Sequence, residues 1–298
     1  MGRTMTDHTA PYRLLKPTHR RAALVLTSAH SGRRYDPAFL AASRLDATEI
    51  RRSEDSFVDE LFAAGPELGV PLLAAQFPRA YCDANREAWE LDPLMFADVL
   101  PAHVNTTSPR VQAGLGTIAR IVGNGEPIYT GKLCFAEARA RVETCWLPFH
   151  EALAGQIEET LALFGTCLVI DCHSMPSLPG RHAAAKADIV LGDGFGTSCA
   201  PAWTDFLHAS LGALGFQVRR NDPYAGGFIT RHYGRPREGV QVIQLEMARG
   251  LYMNEQNFTH SRNFSEIQRR MTALLTKVIE ARAIWERFPP HCRAAAAE

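Results

Sequence analysis

The chain has 298 residues, 46% hydrophobic and 21% charged, an ordinary globular composition that can bury a substantial core. Lys+Arg 32 balance Asp+Glu 32 at net charge +0, which argues against nucleic acid or an anionic membrane as the main partner. No apolar window approaches the roughly 18 residues of a membrane span and the N-terminus lacks a secretory apolar core, so a cytoplasmic location is expected.

In chain order, residues 1–20 are polar and carry Pro11 and Pro17, so an extended entry is expected there. A single α/β domain is expected over 21–290, with a frayed tail over 291–298. The apolar run Ala22 to Ser28 reads as a first strand, followed at once by His30, Ser31 and Gly32. Asp46, with Glu49 three residues on, caps a helix in which Ile50, Phe57, Val58, Leu61 and Phe62 recur at helical spacing; Gly65-Pro66 closes it. Val70 to Ala75 reads as a second strand, running into a loop from Arg79 to Arg86. Leu91 to Lys132, rich in proline, glycine, threonine and asparagine, reads as a long irregular excursion, and loops of that length are usually functional or disordered.

Ala136 to Phe164 is helical in pattern, interrupted at Leu147-Pro148. After Gly165 comes the central run Cys167-Leu168-Val169-Ile170, a buried strand that delivers Asp171 and His173 to its carboxyl end. A loop through Gly180-Arg181-His182 leads to a strand over Asp188 to Gly192, a helix from Pro201 to Leu214 and a strand from Gly215 to Arg220. The turn-rich Asn221 to Gly227 precedes an alternating strand from Gly239 to Glu246, and Phe264 to Phe288 forms a closing amphipathic helix. Strands alternating with helices predict an α/β three-layer sandwich with a mixed, mainly parallel sheet.

Two histidines at strand ends point to a metal. A hydrolytic zinc centre takes three protein ligands from His and carboxylates and leaves a position for water, and His30 and His173 supply two. Glu54 and Asp55 compete for the third: periodicity places Glu54 mid-face among Ile50, Phe57, Val58 and Leu61, and Asp55 at the edge. Glu246 closes an apolar alternating strand, where an acid is costly to bury without a purpose; it is either a general base or a hydrogen-bonded structural group. Arg86, after Asn85, and Arg141 offer guanidinium forks for a small acidic substrate. The 7 cysteines are scattered, odd in number and without a C-x-x-C pair, so neither a disulfide framework nor a cysteine zinc knuckle is expected. Cys167 and Cys172 read as small buried hydrophobes.

Several short motifs occur in one order: His30-Ser-Gly, Ser53-Glu-Asp55, Tyr81-x-Asp83-x-Asn85-Arg86, Pro148-Phe-His150, Asp171-Cys-His-Ser-Met-Pro176, Asn221-x-Pro-Tyr-x-Gly-Gly227 and Gln244-x-Glu246. Together, from about Ala22 to Tyr252, they resemble the N-formylglutamate amidohydrolase family. That resemblance implies a zinc-exopeptidase-like sheet with one Zn2+ or other divalent first-row ion per chain, held by His30, Asp55 and His173. It aligns the family's aspartate with Asp55, makes Glu246 the base, and gives the substrate carboxylates to Asn85, Arg86 and Arg141. The implied activity is hydrolysis of N-formyl-L-glutamate to formate and L-glutamate, as in histidine breakdown. Rival readings are a zinc amidohydrolase for another N-acyl amino acid or peptide amide, and a non-catalytic protein that binds an acidic metabolite. The sequence departs from the family's pattern in having Phe149 in place of tyrosine and Glu54-Asp55-Ser56 in place of Thr-Asp-aromatic.

Overall fold

A computed structural model describes residues 10–177 and 187–288. Its centre is a seven-stranded sheet in the order β1-β3-β2-β4-β7-β5-β6, formed by β1 (Tyr12–Leu15), β2 (Leu24–Ser28), β3 (Leu72–Ala75), β4 (Cys167–Met175), β5 (Ile189–Gly192), β6 (Val218–Arg220) and β7 (Val240–Ala248). β3, β2, β4 and β7 run parallel; β1 is antiparallel to β3, and β5 to β7. Helices cover both faces, so the mixed, mainly parallel three-layer arrangement is realised. Trp203, Leu207, Met271 and Leu274 pack one face against Leu26, Ile170 and Ile243. On the other face Phe149, Leu153 and Ile157 meet Val25, Val169 and Val242. All nine residues of β4 are buried, Cys167 to Ile170 as an apolar, partly β-branched run demands, and with them the polar Asp171, His173 and Ser174. Cys167 and Cys172 are both fully buried. Because the central strands are parallel, the segments after β2 and the ends of β4 and β7 meet at one edge, where open α/β sheets place ligands.

The structure corrects several sequence-based expectations. The chain enters the sheet earlier: Tyr12–Leu15 is an edge strand paired with β3, and Pro11 and Pro17 bracket it, as proline does at strand ends. The single helix expected from Asp46 is two short pieces, a 3₁₀ turn Glu49–Ser53 and a helix Val58–Leu61. Between them Glu54 is extended (φ −69°, ψ 147°). The Asp55 amide donates to His30 O at 3.0 Å instead of to a carbonyl one turn back, so docking onto the end of β2 overrides the helical period. The helices Phe135–Arg141 and Leu147–Phe164 are joined by a π-helical turn, Val142–Trp146, where Pro148 removes a donor. The closing helix stops at Glu280, with a short piece Arg282–Trp285 after it, because Trp285 Nε1 turns back to Val278 O at 2.9 Å.

The excursion is irregular apart from short turns such as Pro93–Met95 and Pro109–Gln112, yet it is well packed. Leu91, Met95 and Ile118 join the sheet core, and Val122 and Ile128 form a smaller cluster with Phe39 and Ile50. The expected Gly180-Arg181-His182 loop and the 291–298 tail lie outside the described residues. Among the described residues no helix is long and apolar enough to cross a membrane.

Candidate active site

His30 follows β2 and His173 lies on β4, and their ring centroids are 4.7 Å apart. Gly32 lets the chain after His30 pass against the backbone beyond β3, since a Cβ there would lie 2.0 Å from Phe77 O. Asp55 Oδ2 faces both rings, 2.9 Å from His173 Nδ1 and 3.4 Å from His30 Nδ1. The far nitrogens are pinned by carboxylates, His30 Nε2 to Asp83 Oδ1 at 2.7 Å and His173 Nε2 to Asp171 Oδ2 at 2.9 Å. For His30 this makes Nε2 the N–H and turns the Nδ1 lone pair inward, whereas His173 Nε2 also lies 3.1 Å from Asn85 Nδ2 and its Nδ1 faces Asp55. Asp55 Oδ1 is already occupied, accepting from Ser174 Oγ at 2.9 Å and from Arg249 Nη2 at 3.2 Å. One oxygen and two nitrogens remain, converging from three segments.

The donor set fits a cation. His30 Nδ1 is buried without a hydrogen-bond partner among the described residues. Burial opposes charge on His173, yet Asp171 and Asp55 raise its pKa well above the usual imidazole value. Burial likewise opposes ionised Asp55, but the neighbouring imidazoles, His173 first and then His30, hold its carboxyl well below the ordinary range. A positive charge is therefore favoured between these groups, and His30, Asp55 and His173 together can hold a metal ion.

Glu54, the choice of helical periodicity, points elsewhere. It is buried against Arg51 (3.0 Å from Nε) and Tyr35 Oη (2.7 Å), a structural anchor of the 3₁₀ turn. The helical-wheel argument assumed a continuous helix, and the chain has none at that point.

Glu246 lies on β7 directly beside His173 in the β4–β7 register. Gln244 Nε2 donates to its Oε1 at 2.7 Å. Burial first, then Asp55 and Asp171, push its carboxyl up to about 7, against the pull of His173 and Arg79. His30, His173 and Glu246 share a cavity of about 240 Å³ whose wall carries Arg52, Arg79, Arg86, Arg110 and Arg249. Arg86 reaches this wall, with its guanidinium bonded to Leu115 O at 2.9 Å and Asn85 O at 2.7 Å. Asn85 also lines it, but its amide is largely engaged. Nδ2 lies 3.4 Å from Asp171 Oδ2, and Oδ1 accepts from Ile229 N at 2.8 Å. Gly227 makes room for that amide, since a Cβ would sit 2.3 Å away.

Arg141 is corrected: it does not line the cavity. It is buried over the Tyr81 ring at 4.3 Å and donates to Tyr129 Oη at 2.6 Å, because its helix faces the aromatic cluster under the excursion. Sequence reasoning assigned no role to Asp83, Asp171, Arg79, Arg110 or Arg249. For Asp171 a signal existed: it stands two residues before His173 on one strand, hence on the same face. Asp83 stood in the quoted Tyr81-to-Arg86 motif beside the residues that were chosen.

The model of the N-formylglutamate amidohydrolase family matches residues 22–253. The chain belongs to this family. Among its relatives, the N-formylglutamate deformylase of Pseudomonas aeruginosa is 30% identical, with 90% of this chain and 95% of the relative covered. That of Pseudomonas putida is 27% identical over 89% and 94%. The crystal structure of N-formylglutamate amidohydrolase from Ralstonia eutropha JMP134 superposes with a TM-score of 0.84 at 34% identity, covering 91% of this chain and 98% of that one. A protein from Agrobacterium tumefaciens, at 19% identity and a TM-score of 0.60 over 90% and 95%, shares the fold.

Proposed function

We propose that this member of the N-formylglutamate amidohydrolase family hydrolyses N-formyl-L-glutamate to formate and L-glutamate, with a zinc or similar divalent first-row ion held by His30, Asp55 and His173. The observation that carries the reading is one cavity lined by His30, His173, Glu246 and five arginines, with Asp55 clustered against the two imidazoles. The names of the relatives support the same substrate.

When bound, such an ion supplies Lewis-acid polarisation of a carbonyl and lowers the pKa of a water toward ~7. The chain's own groups do the rest. Asp83 and Asp171 hold both imidazoles by their Nε2 atoms. Glu246 takes a proton from the attacking water as its oxygen bonds to the formyl carbon. As the C–N bond breaks, the same carboxyl returns that proton to the departing nitrogen, leaving formate and the free amine. A carboxyl held near neutrality by burial suits both halves of this transfer. Gln244 fixes Oε1, so the carboxylate does not wander between them. The wall's arginines, five in all, make it electropositive, and a small acidic substrate is drawn in and oriented by it.

Elemental analysis of purified protein alongside a formate-release assay tests this. One divalent ion per chain, with turnover lost on chelation and restored by zinc, is the expected result. Full turnover of N-formylglutamate in rigorously metal-free protein would overturn it.

A further inference from the structure

The five arginines of the cavity wall are not equivalent. Arg249 is buried and committed to Asp55 Oδ1 and Ser174 Oγ, while Arg79 Nε is bonded to Asp83 Oδ2 at 2.8 Å. Arg86 is buried and bonded to two carbonyls. Arg52 and Arg110 differ: both are exposed, and neither guanidinium has a hydrogen bond or an ion pair among the described residues. Arg52 is the fourth residue of the 3₁₀ turn Glu49–Ser53, and Arg110 sits on the short helix Pro109–Gln112 of the excursion. Both segments are held in place. Gly123 N donates to Ser53 Oγ at 3.0 Å, tying the turn to the excursion, and Arg249 Nη1 donates to Arg52 O at 3.2 Å. Pro109 and the Ser108 cap on Val111 N at 3.1 Å fix the start of the Arg110 helix. Arg86 registers the crowding: burial, with Arg79 and Arg110 adding to it, lowers its pKa to about 10 despite Asp83.

Asp46 lies within electrostatic reach of Arg52 but forms no ion pair with it, and guanidinium groups left without a bonded partner at the mouth of a cavity mark the place of an anion. Substrate geometry says which one. In an N-formyl amino dicarboxylate the α-carboxylate is close to the scissile amide. The distal carboxyl carbon is five bonds of roughly 1.3–1.5 Å from the formyl carbon, about 6 Å away when extended. With the formyl group at the buried imidazoles, the distal carboxylate reaches toward the exposed end of the wall.

We propose that Arg52 and Arg110 are specificity-determining residues that clamp the distal carboxylate, so that the excursion selects dicarboxylic N-formyl substrates over their neutral analogues. This rests on the deformylase reading above. The test compares kcat/KM for N-formyl-L-glutamate and N-formyl-L-glutamine, which differ at the distal group alone, in wild type, Arg52→Ala, Arg110→Ala and the double variant. Calorimetric binding of L-glutamate and L-glutamine is measured in parallel. Wild type should prefer the acid. Each single variant should lose about 10- to 100-fold more on the acid than on the amide, and the double variant should lose most of the preference, because each guanidinium contributes a charge-assisted hydrogen bond. Equal losses on both substrates, or no loss, would overturn the clamp. If wild type hydrolyses neither compound, the deformylase reading fails. Calorimetry then decides the clamp independently, by whether a preference for glutamate is present and is erased in the double variant.

Discussion

The floor and the mouth of the cavity are built in opposite ways. The floor is made where parallel strands end: His30 and His173 are 2% exposed and Glu246 8%, the last two fixed by backbone pairing, and all three by buried polar partners. The mouth is made from a 3₁₀ turn and an irregular excursion, and its arginines are solvent-exposed. The contrast separates two tasks. On the proposed function, reaction geometry would depend on hydrogen-bonded ladders that do not shift by fractions of an ångström, and selection between substrates on charge displayed on loops, which tolerate change.

Breaking the floor should have the largest effect. Asp55→Asn removes the carboxylate that faces both imidazoles, so metal content should fall to background and formate release by about a thousandfold or more. Glu54→Gln, one residue away, should keep the metal and cost about 1–3 kcal/mol in unfolding free energy, because Arg51 and Tyr35 lose their charged partner. Parallel metal analysis and denaturation of the two variants checks both statements. Next comes Glu246→Gln, which should retain the ion while turnover drops by about 10²- to 10⁴-fold. Wild-type turnover in that variant would place the base elsewhere. The mouth variants, at about 10- to 100-fold, fall below these.

The support beneath the floor acts on stability instead of turnover. His150 Nε2 donates to Ala84 O at 2.8 Å and Nδ1 faces Tyr233 Oη at 2.9 Å, bracing the loop that carries Asp83 and Asn85. Burial, chiefly, lowers its pKa from 6.5 to about 4. The unfolded chain then binds a proton at His150 that the folded chain refuses, so the contribution is complete above pH 6.5 and lost as pH falls toward 4. About 3 kcal/mol of unfolding free energy should disappear over that window. Urea titrations across the window should show the slope in wild type and a shallower one in His150→Gln.

Much of this was legible in the sequence where residue type and backbone period act together. The buried β4 run, the alternation of β7 and the histidines after two strands all follow from period-two patterning, and the structure brings His30, His173 and Glu246 into one cavity. Failures arose where tertiary contacts outweighed the local pattern. Asp55 left its helix because its amide found the His30 carbonyl, so the apolar spacing that favoured Glu54 described a helix that does not exist. Arg141 stands on a helix as expected, but which partner a helix face meets is not written in its own spacing. Asp83 was overlooked because its service to His30 joins residues 53 positions apart.

His173 and Glu246 occupy the same rung of the β4–β7 ladder. Their separation is therefore inherited from interstrand spacing, which no substitution at either position can alter. A slip of one residue would not retune the pair; it would turn one of the two toward the opposite layer and abolish their meeting. Any chain that keeps this sheet therefore keeps the spacing between imidazole and carboxyl group.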